Sequence, residues 1–342
     1  MPVMASIKPT KQTSKSKKKP RVLTAVQPSG ALHLGNYFGA IKPMLAWQDK
    51  ADLIFFIADL HALTSVKDAK KLQHDIEDVV LSYLACGIDP NKCLIFRQSD
   101  VDQVCLLSWI LACVTPYSLL QRAHAFKEAK QQRADLNVGL FTYPALMAAD
   151  ILLYQAEVVP VGKDQQQHVE ITRELARHFN QVYGEFFPLP KAQIDPEAMI
   201  IPGVDGRKMS KSYGNTIPLF AEEEEIKRLV MSFMTDPART KREIPGNPDI
   251  CPLFVLHKVL NTAEKEMVDR ECRVAKIGCV DDKKIIFKRV MELLAPMRAE
   301  RKKLAKKSGL AKEVLQAGAA KASMIADETL TVVKKMIGLT LS

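Results

Sequence analysis

Long apolar runs and paired cysteines are both missing from the sequence. No stretch of about 18 apolar residues occurs, so the sequence predicts no membrane-spanning helix and no secretory signal. The seven cysteines are odd in number and form no CxxC pair, so a disulfide framework is not expected. With 47% hydrophobic and 26% charged residues, we expect a soluble globular protein in the cytoplasm, its thiols reduced and mostly buried.

Acidic residues are absent from the first 20 positions, which hold six of the lysines behind the net charge of +10. Without those six charges the excess is about +4, so the rest of the chain is only mildly basic, as suits reversible binding of a polyanion. This segment shows no helical periodicity, and we predict a disordered lysine-rich tail over residues 1–20. An organelle transit peptide is disfavoured because such peptides favour arginine and the first arginine is Arg21.

Short apolar runs alternate with helical patterns through the first two thirds of the chain. Residues 22–26, 53–58 and 94–97 are predicted strands, and a helical pattern follows each of them. This alternation predicts an α/β fold with a Rossmann-like doubly wound parallel sheet. Long charged helical patterns take over after about residue 220. We therefore predict a Rossmann-like catalytic domain over 21–218 and an all-helical domain over 219–342.

The first candidate site follows the first predicted strand, at residues 27–36 (QPSGALHLGN). In a doubly wound sheet, the carboxyl edge of a central strand is where ligands bind. His33 and Asn36 lie within one helical turn and offer nitrogen donors beside the positive end of the helix dipole, which favours a phosphate ligand. Taken alone, the segment is equally typical of a structural helix cap.

The second candidate site is the segment 205–214 (DGRKMSKSYG). It places Lys208 and Lys211 three residues apart between two glycines, which is typical of a mobile loop that delivers cationic charge. A solvated basic loop is the structural alternative.

Together these two segments resemble the two signatures of class I aminoacyl-tRNA synthetases, the His-Ile-Gly-His and Lys-Met-Ser-Lys-Ser elements. The second is present letter for letter at residues 208–212. The first departs from the pattern, with Leu34 in place of isoleucine and Asn36 in place of the last histidine. An asparagine there is similar to the tryptophan- and tyrosine-specific branch, and it keeps a donor for phosphate contact.

A predicted helix over residues 144–154 and the residue before it bear on the choice of amino acid. Tyr143, Met147 and Asp150 are spaced four and three residues apart, which puts them on one helix face. A carboxylate in an apolar pocket is costly unless it accepts a hydrogen bond, and the indole nitrogen is a donor only. The segment resembles the recognition helix of the tryptophan-specific, bacterial-type members of the family.

This resemblance implies a role for each residue of the amino-acid site. Asp150 is expected to accept the indole N–H, Tyr143 and Gln165 to hold the amino group, and Met147 to pack on the ring. His61 matches a pocket residue of the family, although by itself it is equally typical of a core residue.

The resemblance also implies an ATP site. Lys208 and Lys211, with His33 and Asn36 on the opposite side, are the expected catalytic residues, because they can neutralise charge on the departing diphosphate. Mg²⁺ is expected on the ATP phosphates. The implied ATP-binding residues are Gln27, Pro28, Ser29, Gly35, Asn36, Gly162, Lys163, Asp164, Ile200, Lys208, Met209, Ser210, Lys211 and Ser212.

The activity that follows is ATP-dependent attachment of L-tryptophan to tRNA(Trp) through a tryptophanyl-adenylate, with release of AMP and diphosphate. Family members of this kind act as homodimers. Region 219–342 is the expected anticodon-binding module, although its basic clusters are also typical of a solvated face. Some members carry a four-cysteine iron–sulfur site, but this chain has Cys251, Cys272 and Cys279 with Asp282 in the fourth position, so no cluster is expected.

Three alternatives remain at this stage. A tyrosine-specific synthetase differs in its amino acid, and such enzymes tend to have glutamine where Met147 stands. A small-molecule nucleotidyltransferase uses a similar strand-to-helix turn but has no need of residues 208–212 or of the helical extension. A noncatalytic tRNA-binding paralogue is disfavoured because each expected contact has its residue.

Overall fold

The core of the protein is one parallel sheet. The computed structural model describes residues 19–123, 126, 136–162, 165–194 and 200–340. Within these ranges five strands pair in the order β3-β2-β1-β4-β5, every neighbouring pair parallel. The strands are β1 (Arg21–Val26), β2 (Asp52–Ile57), β3 (Cys93–Arg97), β4 (Val158–Pro160) and β5 (Lys191–Gln193). The winding direction changes between β1 and β4, so their carboxyl ends border the crevice where sheets of this kind bind ligands.

Helices connect the strands and form the whole region after β5. The helices of the sheet region are α1 (Leu34–Asn36), α2 (Lys42–Trp47), α3 (Asp59–Ala62), α4 (Ala69–Ala85), α5 (Gln103–Val114), α6 (Tyr117–Gln121), α7 (Val138–Leu153) and α8 (Gln166–Tyr183). The later helices are α9 (Glu223–Met231), α10 (Pro252–Leu260), α11 (Lys265–Arg273), α12 (Cys279–Ala305) and α13 (Leu310–Met336). In the part of the chain that the structure describes, no helix is long and apolar enough to cross a bilayer.

The β2 strand shows why the sheet is buried on both faces. Five of its six residues are buried, and the run reads DLIFFI without alternation, as expected for a strand covered on both sides. Phe55 packs into one hydrophobic cluster, while Ile54 and Phe56 pack into the other. The predicted Rossmann-like sheet and the helical C-terminal region are both confirmed.

The last helix, α13, packs directly on the sheet rather than standing apart from it. A Cβ atom at Gly318 would overlap the backbone carbonyl oxygen of Ile95 on β3, so this close approach requires glycine. The preceding helix α12 is tied to the sheet region by an ion pair between Arg301 and Asp78, 2.8 Å apart. The region after residue 218 therefore shares the core of the sheet.

The helix that carries Asp150 begins earlier than the sequence predicts. Proline favours the first turn of a helix, so a start at residue 144 was expected. Instead α7 begins at Val138, after Asn137 caps it by accepting from the backbone N–H of Leu140 at 2.9 Å, and Pro144 lies inside the helix. Three short elements were not predicted from the sequence: the three-residue strand β5 and the helices α10 and α11.

Candidate active site

His33 and Asn36 cap the helix that follows β1. The Nδ1 atom of His33 accepts from the backbone N–H of Asn36 at 3.3 Å, and the Oδ1 atom of Asn36 accepts from the backbone N–H of His33 at 3.1 Å. These two residues therefore form a helix cap, the structural alternative that the sequence left open. The cap uses neither Nε2 of His33 nor Nδ2 of Asn36, so both donor atoms that phosphate binding requires lie outside it.

The imidazole of His33 is held in its neutral form. Its side chain is buried, and burial lowers its pKa to about 4, with the nearby Lys211 ammonium adding to the effect. A neutral ring accepts at Nδ1 and must then carry its proton on Nε2. The site thus presents an N–H donor without adding a positive charge beside Lys211.

The two signature segments are in contact. The Lys211 ammonium donates to the backbone carbonyl oxygens of Ser29 at 2.9 Å and Gly30 at 2.8 Å. Gly30 has φ +87°, a conformation that favours glycine and that turns its carbonyl toward the loop. The backbone N–H of Gly35 lies 3.4 Å from the sulfur of the buried Met209. Partial desolvation lowers the pKa of Lys211, and the carboxylates of Asp75 and Asp78 only partly oppose this shift.

Asn215 organises the loop that carries the two lysines. Its buried side chain accepts from the backbone N–H of Ser210 at 2.8 Å and donates to Asp205 at 2.7 Å and to the carbonyl of Lys208 at 3.2 Å. A Cβ atom at Gly203 would overlap this side chain. Asn215 does not stand out in the sequence, because one asparagine after a glycine is an ordinary turn signal.

Asp150 on α7 is buried, with 2% of its surface exposed. The Nε2 atom of His61 donates to its Oδ2 at 2.9 Å. The side-chain amide of Gln98 donates to Oδ1 at 2.8 Å and to Oδ2 at 2.9 Å. Burial raises the pKa of Asp150, and the hydrogen bonds from His61 and Gln98 oppose that shift. The structure thus brings together His61 and Asp150, two of the predicted site residues, and adds Gln98, which was not among them.

Tyr143 and Gln165, which were predicted to share one ligand group, are linked through His168. Nδ1 of His168 donates to the Oε1 atom of Gln165 at 2.8 Å, and the Tyr143 hydroxyl hydrogen-bonds Nε2 of the same ring. The Tyr143 ring also meets the His61 ring edge-on, with centroids 6.2 Å apart. These side chains therefore form one continuous polar wall.

A cavity of about 210 Å³ opens beside this wall. His61 and Tyr143 line it together with Leu60, Gly139 and Leu146. Asp150, Met147 and Gln165 do not line the cavity, although Met147 is half-buried on α7.

Some of the implied ATP-binding residues follow the strands that border the crevice, β1 and β4. Gln27, Pro28 and Ser29 follow β1, and Gly162 follows β4. The Ser210 and Ser212 hydroxyls are 3.2 Å apart on the lysine loop. Ile200 is exposed, and Lys163 and Asp164 lie outside the described residues. Contact of these residues with ATP stays a prediction.

Two of the three cysteines near the expected iron–sulfur position lie beside an arginine. The Nη1 atom of Arg239 lies 3.7 Å from the sulfur of Cys272 and 3.8 Å from that of Cys279. Asp282, in place of the fourth cysteine, instead accepts from Nε2 of the buried His257 at 2.6 Å. Over the described ranges, no three histidine, cysteine or acidic side chains are arranged to hold a metal ion. A guanidinium that faces two thiols suits a metal cluster poorly, because the guanidinium and the cluster would compete for the same sulfur atoms.

The expectation of mostly buried thiols is wrong, because three of the seven cysteines are buried, two are partly exposed and two are exposed. Cys105 and Cys113 are exposed on the outer face of α5. Trp109 lies midway between them at a spacing of four residues and is 70% exposed. One face of α5 is therefore exposed, although Cys113 lies in an apolar stretch of sequence.

The comparisons with known proteins agree with these features. The family model for class I tRNA synthetases (W and Y) matches residues 3–295. A tryptophan-tRNA ligase of Fusobacterium nucleatum is 44% identical over 322 residues, covering 93% of this chain and 98% of that protein. A tryptophan-tRNA ligase of Thermotoga maritima is 41% identical over 326 residues, with coverage of 93% and 99%.

Solved structures lead to the same family. A tryptophanyl-tRNA synthetase from Campylobacter jejuni, complexed with ADP and tryptophan, has a TM-score of 0.86 and 41% identity, with 93% of this chain and 99% of that chain covered. A tyrosyl-tRNA synthetase from Archaeoglobus fulgidus, at 20% identity and a TM-score of 0.67, is similar in fold. The chain therefore belongs to the class I tRNA synthetases of the tryptophan and tyrosine branch and, within that branch, to the tryptophan-tRNA ligases.

Proposed function

We propose that this chain attaches L-tryptophan to tRNA(Trp) at the expense of ATP, through a tryptophanyl-adenylate. The observation that carries the proposal is a buried carboxylate, Asp150, held by two donors at the same sheet edge as the Lys211 loop. The solved relative is complexed with ADP and tryptophan, which supports an adenine nucleotide and tryptophan as ligands of this chain.

Asp150 is the group that selects tryptophan in this proposal. When ionised, its carboxylate can accept hydrogen bonds but cannot donate them. The indole nitrogen can only donate, so the two groups are complementary. Phenylalanine offers no donor and would leave the buried carboxylate without its ligand partner. Met147 contributes an apolar contact to the indole ring, while Tyr143 and Gln165 hold the amino group.

Activation needs no protein nucleophile, because the tryptophan carboxylate itself attacks the α-phosphorus of ATP and diphosphate leaves. The residues of this chain orient the reactants and neutralise the charge that develops on diphosphate. Lys208 and Lys211 do so from the loop, and His33 and Asn36 donate from the helix start. Mg²⁺ on the ATP phosphates would supply further positive charge when it is bound.

Transfer follows when the 2′-hydroxyl of the terminal adenosine of tRNA attacks the adenylate and AMP leaves. The helical region contributes basic side chains for the tRNA, but not all of them are equivalent. Arg298 and Arg301 form ion pairs with Glu222 and Asp78 at 3.0 and 2.8 Å and so tie the helices together. The exposed Lys306 and Lys307 are the better candidates for phosphate contacts.

A homodimer is part of the same proposal. Helix α5, whose exposed face carries Trp109, packs against α7. Val138 at the start of α7 is 76% exposed, and Tyr117 is 67% exposed and packs on Phe141 of α7. Exposed apolar side chains on neighbouring helices are typical of protein interfaces. A second copy of the chain is the partner that the family implies.

The test of the proposed function is amino-acid-dependent exchange of diphosphate into ATP, followed by charging of tRNA(Trp) transcripts. We expect exchange with tryptophan, little with tyrosine and none with phenylalanine. Exchange driven by tyrosine would select the tyrosine-specific alternative. Exchange with no amino acid requirement would favour a nucleotidyltransferase, and absence of both reactions would favour a noncatalytic paralogue.

A further inference from the structure

Gln98 lies next to Asp150 and uses both ends of its side-chain amide in hydrogen bonds. It is not one of the site residues predicted from the sequence. It follows β3 directly and is 1% exposed. Both ends of its amide are used, since the nitrogen donates to both oxygens of Asp150 and the oxygen accepts from backbone N–H groups. The side chain therefore connects the end of one strand to the recognition helix.

The backbone after β2 determines the orientation of this amide. Oε1 of Gln98 accepts from the backbone N–H of Leu60 at 3.1 Å and from that of His61 at 3.4 Å. A flipped amide would direct its NH₂ group at these two donors and its oxygen at the Asp150 carboxylate. Both changes leave buried polar groups without partners, so the observed orientation is strongly favoured.

A fixed donor at this position determines what Asp150 can do. Two N–H groups, from Gln98 and from His61, face the carboxylate, and each requires an acceptor. Burial alone favours the protonated acid, whose O–H would compete with these donors. The donors therefore favour the ionised form, which can accept one more hydrogen bond from a ligand N–H.

We propose that Gln98 is a positioning residue that determines tryptophan specificity by holding Asp150 in orientation and as a hydrogen-bond acceptor. This inference rests on the proposed function, because it assumes that Asp150 accepts from the indole. Gln98 itself acts through Asp150 and has no direct contact with the substrate in this account.

Two variants of Gln98 test the inference. Gln98→Leu removes the donor and the acceptor together, and we expect it to raise the KM for tryptophan roughly 10- to 100-fold, with a similar loss of preference over phenylalanine and an unchanged KM for ATP. Gln98→Glu keeps the shape and the acceptor but places two carboxylates in contact, which must then share one proton. When that proton is present, Glu can donate to Asp150 as Gln does, and the donor is lost when the proton leaves. The KM for tryptophan, relative to that of the unsubstituted enzyme, should therefore increase as the pH is raised from 6 to 8.

The matched control is Gln48→Leu. Gln48 is also a buried glutamine; it accepts from the backbone N–H of Asp89 at 2.6 Å and donates to the carbonyl of Gly87 at 3.2 Å, away from the site. We expect this change to lower stability without altering the preference for tryptophan. Comparing thermal unfolding of both leucine variants separates lost structure from lost specificity.

Three outcomes overturn the inference: a Gln98→Leu enzyme with an unchanged KM for tryptophan, equal rises in the KM values for tryptophan and ATP, or a pH-independent Gln98→Glu enzyme that behaves like the unsubstituted one. If Gln98→Leu does not fold, the pH profile of the isosteric Gln98→Glu decides. Failure of the proposed function is distinct, because the unsubstituted chain would then lack tryptophan-dependent exchange.

Discussion

The ammonium of Lys211 lies 2.9 Å from the carbonyl oxygen of Ser29, although 182 positions separate the two residues in the chain. The contact joins the lysine loop to the turn after β1, on the side of the crevice where phosphates are expected. Carbonyl oxygens carry only partial charges, so phosphate oxygens of ATP are stronger partners for the ammonium. We therefore expect the lysine to exchange these carbonyls for phosphate when the nucleotide binds.

Lys211→Ala should slow tryptophan-dependent diphosphate exchange roughly a hundredfold or more, because removing one group that stabilises developing charge costs about 2.7–4 kcal/mol in the barrier. Steady-state exchange at saturating tryptophan measures this effect. Lys92→Ala is the control, since Lys92 is an exposed lysine that pairs with Asp49 at 2.9 Å on the far side of the sheet. Near-normal exchange by Lys211→Ala would contradict the assigned role.

Asp150→Ala should lose most of the discrimination between tryptophan and phenylalanine, which for a site built around a hydrogen bond reaches roughly 10⁴–10⁵. It also leaves the His61 and Gln98 donors without their acceptor, which we expect to cost about 1–3 kcal/mol of stability. The ratio of kcat/KM for the two amino acids measures the first effect, and urea unfolding measures the second.

Asp282→Ala is the matched control for this prediction. Asp282 is another buried carboxylate that accepts from a histidine, His257, but it lies in the helical region. The Asp282→Ala substitution should lower stability and leave the preference for tryptophan over phenylalanine intact. The role of Asp150 is refuted if its alanine variant still strongly prefers tryptophan.

The low pKa of His33 predicts a pH dependence of folding. Its pKa is about 4 in the folded chain against 6.5 for the free side chain, so between these values the unfolded chain binds more protons. The stability associated with neutral His33 is therefore present above pH 6.5 and is lost as the pH falls toward 4. We expect this contribution to be about 1–2 kcal/mol after allowance for solvent screening.

Urea unfolding of the unsubstituted chain and of His33→Gln at pH 7 and pH 4.5 measures the difference. The gap in stability between the two proteins should shrink at the lower pH. The same substitution at His74, an exposed histidine on α4, serves as the control. A gap that stays constant or widens on acidification would show that His33 is not held neutral by the fold.

Trp109→Glu should convert the proposed homodimer to a monomer, since it places a charge in the centre of the exposed α5 face. Sedimentation equilibrium measures the change. Met324→Glu is the control, because Met324 is exposed to a similar extent, 67% against 70%, on α13. An unsubstituted chain that is monomeric at micromolar concentration, or a Trp109→Glu chain that stays dimeric, would exclude this face.

Much of the site could be predicted because its parts are local in sequence. The lysine loop at residues 205–214 and the turn at 27–36 each hold their chemistry within ten residues, and their positions relative to predicted strands indicate one sheet edge. Helical spacing predicts that Asp150 and Met147 share one helix face wherever the helix begins, while their roles come from the family resemblance. The start of that helix was not predictable, because the cap at Asn137 outweighs the preference of proline for a first turn.

The sequence by itself determined the family, the sheet with its helical region, and which residue types carry the chemistry, since these depend on order and spacing along the chain. Only the tertiary structure decided that Gln98 faces Asp150, that Asn215 organises the loop and that Gly318 lies against Ile95. Each of those contacts joins side chains or backbone atoms through space, where hydrogen-bond direction and close packing select the partner. No spacing rule encodes such a choice, because it depends on every element that the fold brings around the residue.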